Sequence, residues 1–374
     1  MENENRPQAQ RLHSLDALRG FDMIWIMGGG GISVALAALT GWPILQWWAG
    51  QLEHVPWHGF HAEDLIFPLF LFLAGISFPF SMAKRNQRVG GRRALYIHVV
   101  TRGMVLVLLG LLNNNAIRFN FGEMRYGSVL GRIGLAWMFA ALIFMNTNLK
   151  FRLVWLWGIL IFYWALFLLF PAHDLGVNDP YSMQGNLAGH IDRMLLPGRF
   201  CCYTYGDSEG ILSAIPAIST ALLGMLTGQF VMSQYLSQKP LRKVLYMALA
   251  AVGLIAFGGV WNFVFPINKY LWSSSFVCFA GGLSLLLFTL FYLVIDIWKI
   301  RKWTFFFTVI GMNSIAIYMA HTILDFDYAA KFLFGGVYAL CDPAWTPLAT
   351  SLGSFAVAWL FLYFLYKNKL FLKV

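Results

Sequence analysis

Ten runs of roughly 20 apolar residues, separated by polar or charged connections, limit what this chain can fold into more than any other feature of it. They fall near 20–39, 65–83, 94–112, 129–146, 152–171, 211–232, 243–262, 273–295, 303–321 and 347–366. A helix rising about 1.5 Å per residue needs about 20 residues to cross a hydrocarbon core about 30 Å thick. Lipid offers backbone amides no partner, so each run is expected to close its own hydrogen bonds as a helix. With 59% hydrophobic and 12% charged residues over 374 positions, no water-soluble domain could hide the apolar surface. The expected class is all-α: a polytopic membrane protein with about ten transmembrane helices. The opening MENENRPQAQRLHSLDALRG is polar and lacks a signal-peptide pattern, so the first apolar run is expected to stay in the membrane.

A net charge of +10 would suggest a nucleic-acid partner in a soluble protein. Here the cations alternate from one connection to the next. One set holds Arg6, Arg11 and Arg19; Lys84, Arg85, Arg88, Arg92 and Arg93; Lys150 and Arg152; Lys239, Arg242 and Lys243; Lys299, Arg301 and Lys302; and the tail lysines Lys367, Lys369 and Lys373. The intervening set holds only Arg118, Arg125, Arg193, Arg199, Lys269 and Lys331. The positive-inside rule therefore puts both termini in the cytoplasm, and no nucleic-acid partner is needed to explain the charge. Residues 1–374 read as a single transmembrane domain, with outer loops 40–63, 172–209 and 322–347 forming the side that meets a hydrophilic ligand. Segment 322–347 mixes charge with apolar residues and reads as interfacial or re-entrant. Cys201 and Cys202, being adjacent, are expected not to pair with each other, which leaves a bridge from Cys341 to one of them open.

The titratable residues concentrate in one loop. His54, His58, His61, Glu63 and Asp64 precede the apolar run that starts at Leu65. Two histidines four apart can share a metal on a helix, but Pro56 argues against a helix there, and no metal is expected. An interfacial role, with Trp57 among the headgroups and Asp64 capping the next helix, is one reading. A histidine acting as general base or nucleophile beside a carboxylate is the other. Asp16, Arg19 and Asp22 recur at spacings of three and can meet on one helix face. Gly28 to Gly31 would either allow close backbone approach or break the helix. Arg132, Asp207, Glu209 and Lys269, with Asn313, Ser314, Tyr318 and His321, gather toward one membrane face and suggest a cavity open to the outer side.

Seven stretches carry a resemblance: SLDALRGFDM (Ser14 to Met23), HVPWHGFHAEDLIFPLFLFLAG (His54 to Gly75), VLGRIGLAW (Val129 to Trp137), GHIDRMLLPGR (Gly189 to Arg199), YGDSEGILSAIPAISTALLG (Tyr205 to Gly224), NKYLWSSSFV (Asn268 to Val277) and GMNSIAIYMAH (Gly311 to His321). Together they resemble the heparan-α-glucosaminide N-acetyltransferase family and its bacterial relatives. That resemblance implies an enzyme of the bacterial cytoplasmic (inner) membrane that takes acetyl from cytoplasmic acetyl-CoA. The acceptor is the amino group of a glucosamine or terminal glucosaminide on the other face. It implies His54, which precedes Trp57 and Gly59, as general base or acetyl carrier, with Asp64 as its acidic partner. The chain departs from the family in reading Asp207-Ser208-Glu209-Gly210 where members commonly have D-P-E-G, and in carrying His190 where they have tyrosine.

On this reading the phosphates of acetyl-CoA meet Arg19, Lys84, Arg85 and Arg93, while Arg132, Asn313 and Ser314 line the path of its arm or polarise the thioester. Trp57, His58, Asp207, Glu209, Lys269, Trp272 and His321 would face the amino sugar or glycan acceptor. Besides these and the lipid bilayer, a second copy of the chain is a conceivable partner, since lipid-facing helices allow a homodimer. The alternatives are a secondary transporter of a small polar or sugar solute, an O-acyltransferase of cell-envelope glycans, and a non-catalytic scaffold or glycan-binding protein.

Overall fold

The computed structural model describes residues 12–86, 91–172 and 174–372. Arg6, Arg11, Arg88 and Lys373 of the charge pattern lie outside them. Among the described residues nine helices are long and apolar enough to cross a membrane, α1 (His13–Thr40), α3 (Ala62–Arg85), α4 (Gly91–Asn113), α5 (Val129–Asn146), α6 (Leu149–Leu169), α8 (Ala214–Met232), α9 (Pro240–Trp261), α10 (Ser274–Ile297) and α14 (Thr346–Lys367). The remaining expected span, the ninth along the chain, is a pair, α11 (Thr304–Gly311) and α12 (Ser314–Ile323), bent by 67° at its junction. Three shorter helices, α2 (Pro43–Gln51), α7 (Leu187–Leu195) and α13 (Phe326–Leu340), lie in the expected outer loops. The protein is thus an all-α, multi-pass membrane protein. A two-residue hairpin, β1 (Cys202–Tyr203) paired antiparallel with β2 (Gly206–Asp207), completes loop 172–209.

The chain forms two compact units. One comprises residues 57–59 and 67–293 of the described chain. In it α9 runs along α10, α4 along α5, and α8 packs on both α5 and α6. Trp137, Trp272, Tyr163 and Phe276 are fully buried at its centre. Polar side chains in these apolar helices find carbonyls. Ser284 donates to Ala280 O at 2.7 Å and Thr289 to Leu285 O at 2.6 Å, four residues back. Ser274 and Tyr163 instead donate across elements, to Leu160 O at 2.7 Å and Leu271 O at 2.6 Å. Without water to compete, such bonds tie helices together where apolar packing alone would slide. Gly75 and Gly224 lie against each other, a Cβ on either meeting the facing backbone, so α3 and α8 touch main chain to main chain.

The other unit comprises 13–56, 60–66 and 294 onward. There α1 packs along α11 and also meets α14, while α13 folds back on α14. The first amides of α1 are capped from afar, His13 N and Ser14 N donating to the Asp296 carboxylate at 3.3 and 3.2 Å. That places an anion at the positive end of the helix dipole. The four-glycine run takes the second of its two expected roles. Gly28 adopts φ 107°, a conformation costly to a residue with a Cβ, and α1 widens there into a π turn over Trp25–Gly29.

The cysteines correct the sequence reading. Cys201 and Cys202 are bonded to each other, while Cys341 and Cys278 are free thiols. Cys202 takes a positive φ of 79°, a left-handed backbone that a regular strand would not supply. Within segment 322–347 lies the 15-residue helix α13, with Asp325 as its N-cap accepting from Tyr328 N at 2.8 Å.

Replacing Gly224 with isoleucine should force α8 away from α3. Overpacking of this kind costs about 1–3 kcal/mol, so the variant should unfold at lower temperature in detergent, and a wild-type melting curve would contradict the close contact.

Candidate functional site

The loop that the sequence singled out is built around Asp64. Pro56 keeps residues 53–60 out of helix, and the chain re-enters helical conformation only at Ala62. Asp64, in the first turn of α3, is 1% exposed. One oxygen, Oδ2, accepts from His61 N at 3.0 Å and so caps the helix. The other, Oδ1, lies 2.9 Å from His54 Nδ1. Beside a buried carboxylate, Nδ1 carries the proton and donates it, which puts the imidazole lone pair on Nε2. His61 is held differently, its Nδ1–H donating to Glu53 O at 2.8 Å. The two oxygens of one carboxylate thus serve two contacts, one capping the helix and the other holding the His54 ring.

In the same unit Asp22 is 1% exposed, and its Oδ2 has no hydrogen-bond partner among the described residues. Glu63 is near enough to act on it electrostatically, as Asp16 is on Arg19. Within the expected cluster of Asp16, Arg19 and Asp22, the Asp16 charge thus acts on Arg19, while the buried Asp22 feels a second acid in Glu63. Asn313 and Ser314 stand at the break between α11 and α12, buried. His321 is exposed in the last turn of α12, its ring edge-on to Phe326 at 5.2 Å.

The other unit holds an aromatic cluster. Trp57 stacks on Tyr270 with centroids 5.5 Å apart, leans on Tyr203 at 5.1 Å and donates its indole N–H to Tyr181 O at 2.8 Å. Asn268 donates to His58 Nδ1 at 3.3 Å, leaving the His58 proton on Nε2. Partial burial lowers the His58 pKa, with Asp179 opposing. Trp57 and His58 were expected from the sequence. Tyr181, Tyr203, Asn268 and Tyr270 were not, although Asn268 and Tyr270 flank Lys269 in the quoted NKYLWSSSFV stretch. Lys269 is half-buried, and Trp272 is wholly buried with its N–H on Thr220 Oγ1 at 3.1 Å.

Asp207 and Glu209 both turn to Arg125, a residue the sequence marked only as a loop cation. Its Nε and Nη2 reach the two Asp207 oxygens at 2.8 and 2.6 Å, and it also pairs with Glu209. Burial alone would lower the Arg125 guanidinium, but its bonds to Asp207 and the Glu209 charge hold it above its ordinary range. Arg132 is 3% exposed, donates to Ser208 O at 2.6 Å and lies over the Trp272 ring at 5.0 Å. Lys84, Arg85 and Arg93 are exposed at the ends of α3 and α4, and neighbouring Arg92 bonds Asn146 Oδ1 at 2.9 Å.

Asp192 supports the β1–β2 hairpin, accepting from Ile211 N at 2.9 Å and Asp207 N at 3.2 Å. Burial pushes its pKa up to about 6, against the pull of those amides. A carboxyl raised in the fold binds its proton more tightly than in the unfolded chain, so its contribution falls as pH rises from about 4 to 6 and is flat above. Asp192→Asn should flatten that part of the profile, and melting temperatures of both forms across pH 4–7 would show it. Parallel profiles would overturn the assignment.

No family model matches the chain. It is similar to the heparan-alpha-glucosaminide N-acetyltransferase of Mus musculus, with 27% identity over 99% of this chain and 61% of that protein. The Homo sapiens protein of the same name is 26% identical over 84% of this chain and 53% of its own length. The chain thus spans between half and two thirds of the length of these curated relatives. The likeness runs through most of this chain, whose described residues include nine helices, or ten spans with the bent pair, long and apolar enough to cross a membrane, and it supports reading the chain as a relative of the heparan-α-glucosaminide N-acetyltransferases.

Proposed function

We propose that the protein is a transmembrane acyltransferase that moves acetyl from cytoplasmic acetyl-CoA to the amino group of a glucosamine or terminal glucosaminide on the opposite face. The observation that carries this reading is the His54–Asp64 pair, 2.9 Å apart, with the carboxylate buried and the imidazole accessible. Such a pair sets the tautomer and stabilises the imidazolium once the ring has taken a proton. The sidedness in this proposal, with both termini cytoplasmic, is supported by the alternation of Lys and Arg, and the membrane proposed is the bacterial inner membrane.

An ammonium group has no lone pair, so the acceptor must react as the free amine. Its nitrogen attacks the thioester carbonyl, the new C–N bond forms as the C–S bond breaks, and His54 Nε2 takes the proton that the nitrogen sheds. The imidazolium then returns that proton to the departing thiolate as CoA leaves. In the covalent variant Nε2 itself attacks, CoA departs, and the amine displaces the imidazole from the acetyl group. Asp64 serves both routes by holding Nδ1–H. Trp57 and His58 are the residues proposed to meet the acceptor. An aromatic face suits the C–H face of a sugar ring, and Tyr270 and Tyr203 fix that face in place.

The bent pair α11–α12 is the one feature that favours a secondary transporter, because discontinuous helices recur at transport sites. Purified protein with labelled acetyl-CoA and glucosamine, or a glucosamine-ended oligosaccharide, separates the readings. The intact chain should form the N-acetyl product. His54→Ala and Asp64→Asn should each lower the rate by about 10²- to 10⁴-fold. CoA release before acceptor is added would mark the covalent route. Solute uptake without any acetyl transfer would sink the acyltransferase reading.

A further inference from the structure

The junction of α11 and α12 holds a polar group with nothing to do. Asn313 is the N-cap of α12, yet its side chain makes no capping bond. It is 1% exposed, and neither Oδ1 nor Nδ2 has a partner among the described residues. Buried carboxamides are ordinarily satisfied by protein, water or ligand, so one with neither pole bonded to a described residue keeps a donor and an acceptor for what enters the space beside it. The same residue lines a groove of about 540 Å³, a size common among small-molecule sites. Its other walls are apolar, among them Ala316 and Ala320 of α12, Leu365 of α14, and Leu370 and Leu372 of the segment that follows. Lys367 and Lys369, both exposed, sit between Leu365 and Leu370 in the chain.

We infer that this groove holds the pantetheine arm of a coenzyme A thioester, with Asn313 bonded to one of the arm's amides and Lys367 and Lys369 facing its phosphates. The inference rests on the acetyl-CoA reading above and adds a location to it. A secondary amide offers one donor and one acceptor, the complement of a carboxamide's acceptor and donor. The rest of the arm is methylene and methyl carbon, which suits walls of alanine and leucine. A lipid acyl chain would fit those walls but leave both poles of Asn313 bare. A sugar would set hydroxyls against leucine. The N-terminus of α12, directly after Asn313, adds a positive potential that favours a carbonyl oxygen there. The lysines suit the diphosphate and 3′-phosphate as point charges.

The test measures equilibrium binding of acetyl-CoA and of acetyl-pantetheine, which lacks the phosphates, to the full chain in nanodiscs, with each variant's melting temperature recorded. Asn313→Leu removes the amide, and Ala316→Phe fills the groove. Each should weaken both ligands by about tenfold or more, and raise KM for acetyl-CoA without changing KM for the acceptor. The double variant Lys367→Gln, Lys369→Gln is at exposed positions and so a safer fold. It should weaken acetyl-CoA but leave acetyl-pantetheine unaffected. If Asn313→Leu and Ala316→Phe bind both ligands as the wild type does, while the wild type transfers acetyl, the groove is not the donor site and the proposed function stands. Loss of co-purified lipid from Ala316→Phe with unchanged acetyl-CoA affinity would assign the groove to lipid and overturn the inference. A wild type that binds neither thioester overturns the proposed function itself.

Discussion

Hydrocarbon accepts polar groups only when they are already bonded to something, and the internal arrangement of this protein follows from that. The backbone meets the condition by being helical through most of each span, with interruptions at Gly28 and at the junction of α11 and α12. Serine and threonine hydroxyls meet it by donating to carbonyls within or across helices. Carboxylates are harder to place, since a buried anion needs donors to all its lone pairs or a cation beside it. Asp64 is buried at a helix start, where a backbone N–H is available to one oxygen and an imidazole N–H to the other. Each of the two oxygens thus has a donor in this arrangement. The carboxylate therefore fixes His54 as firmly as His54 stabilises the carboxylate.

The same logic organises the outer loop 172–209. Asp207 and Glu209 are buried against one guanidinium, whereas the hydrogen bonds that buried Asp192 accepts from the described residues come from backbone amides. The difference shows in the electrostatics. Arg125 is held protonated above its usual range, whereas Asp192, without a direct cation, is raised to about 6. A hairpin stitched by such contacts positions Tyr203 against Trp57 and Tyr270. Polar loops were expected to present an acceptor surface, and the aromatic face presented here is held by buried charge.

Legibility in the sequence followed periodicity and reach. All ten apolar runs correspond to helices or to the bent pair, because run length against bilayer thickness is a local property. The capping role of Asp64 was readable too, since an acid three residues after His61 and just before an apolar run can reach back to the amide. The link from His54 to Asp64 could be suggested by proximity in the chain and by family resemblance, but ten residues of irregular loop separate them. The partner of Asp207 could not be read. Arg125 lies 82 positions away and looked like any other loop cation. Nor could the Cys201–Cys202 bond, which accompanies a left-handed residue that no strand propensity announces.

By itself, then, the sequence determined the class, the number of apolar spans, the loops between them and the short stretch in which titratable residues concentrate. These depend on hydrophobic length, charge alternation and neighbours a few residues apart, all of which a linear pattern carries. Tertiary structure decided which polar groups meet. It gave Arg125 to Asp207 and Glu209, placed Trp57 on Tyr270, bent the ninth apolar run at Asn313 and left that amide unpartnered beside an apolar groove. Such pairings join residues far apart in the chain. They are selected by the cost of burying each group alone, and that cost exists only once the helices have packed.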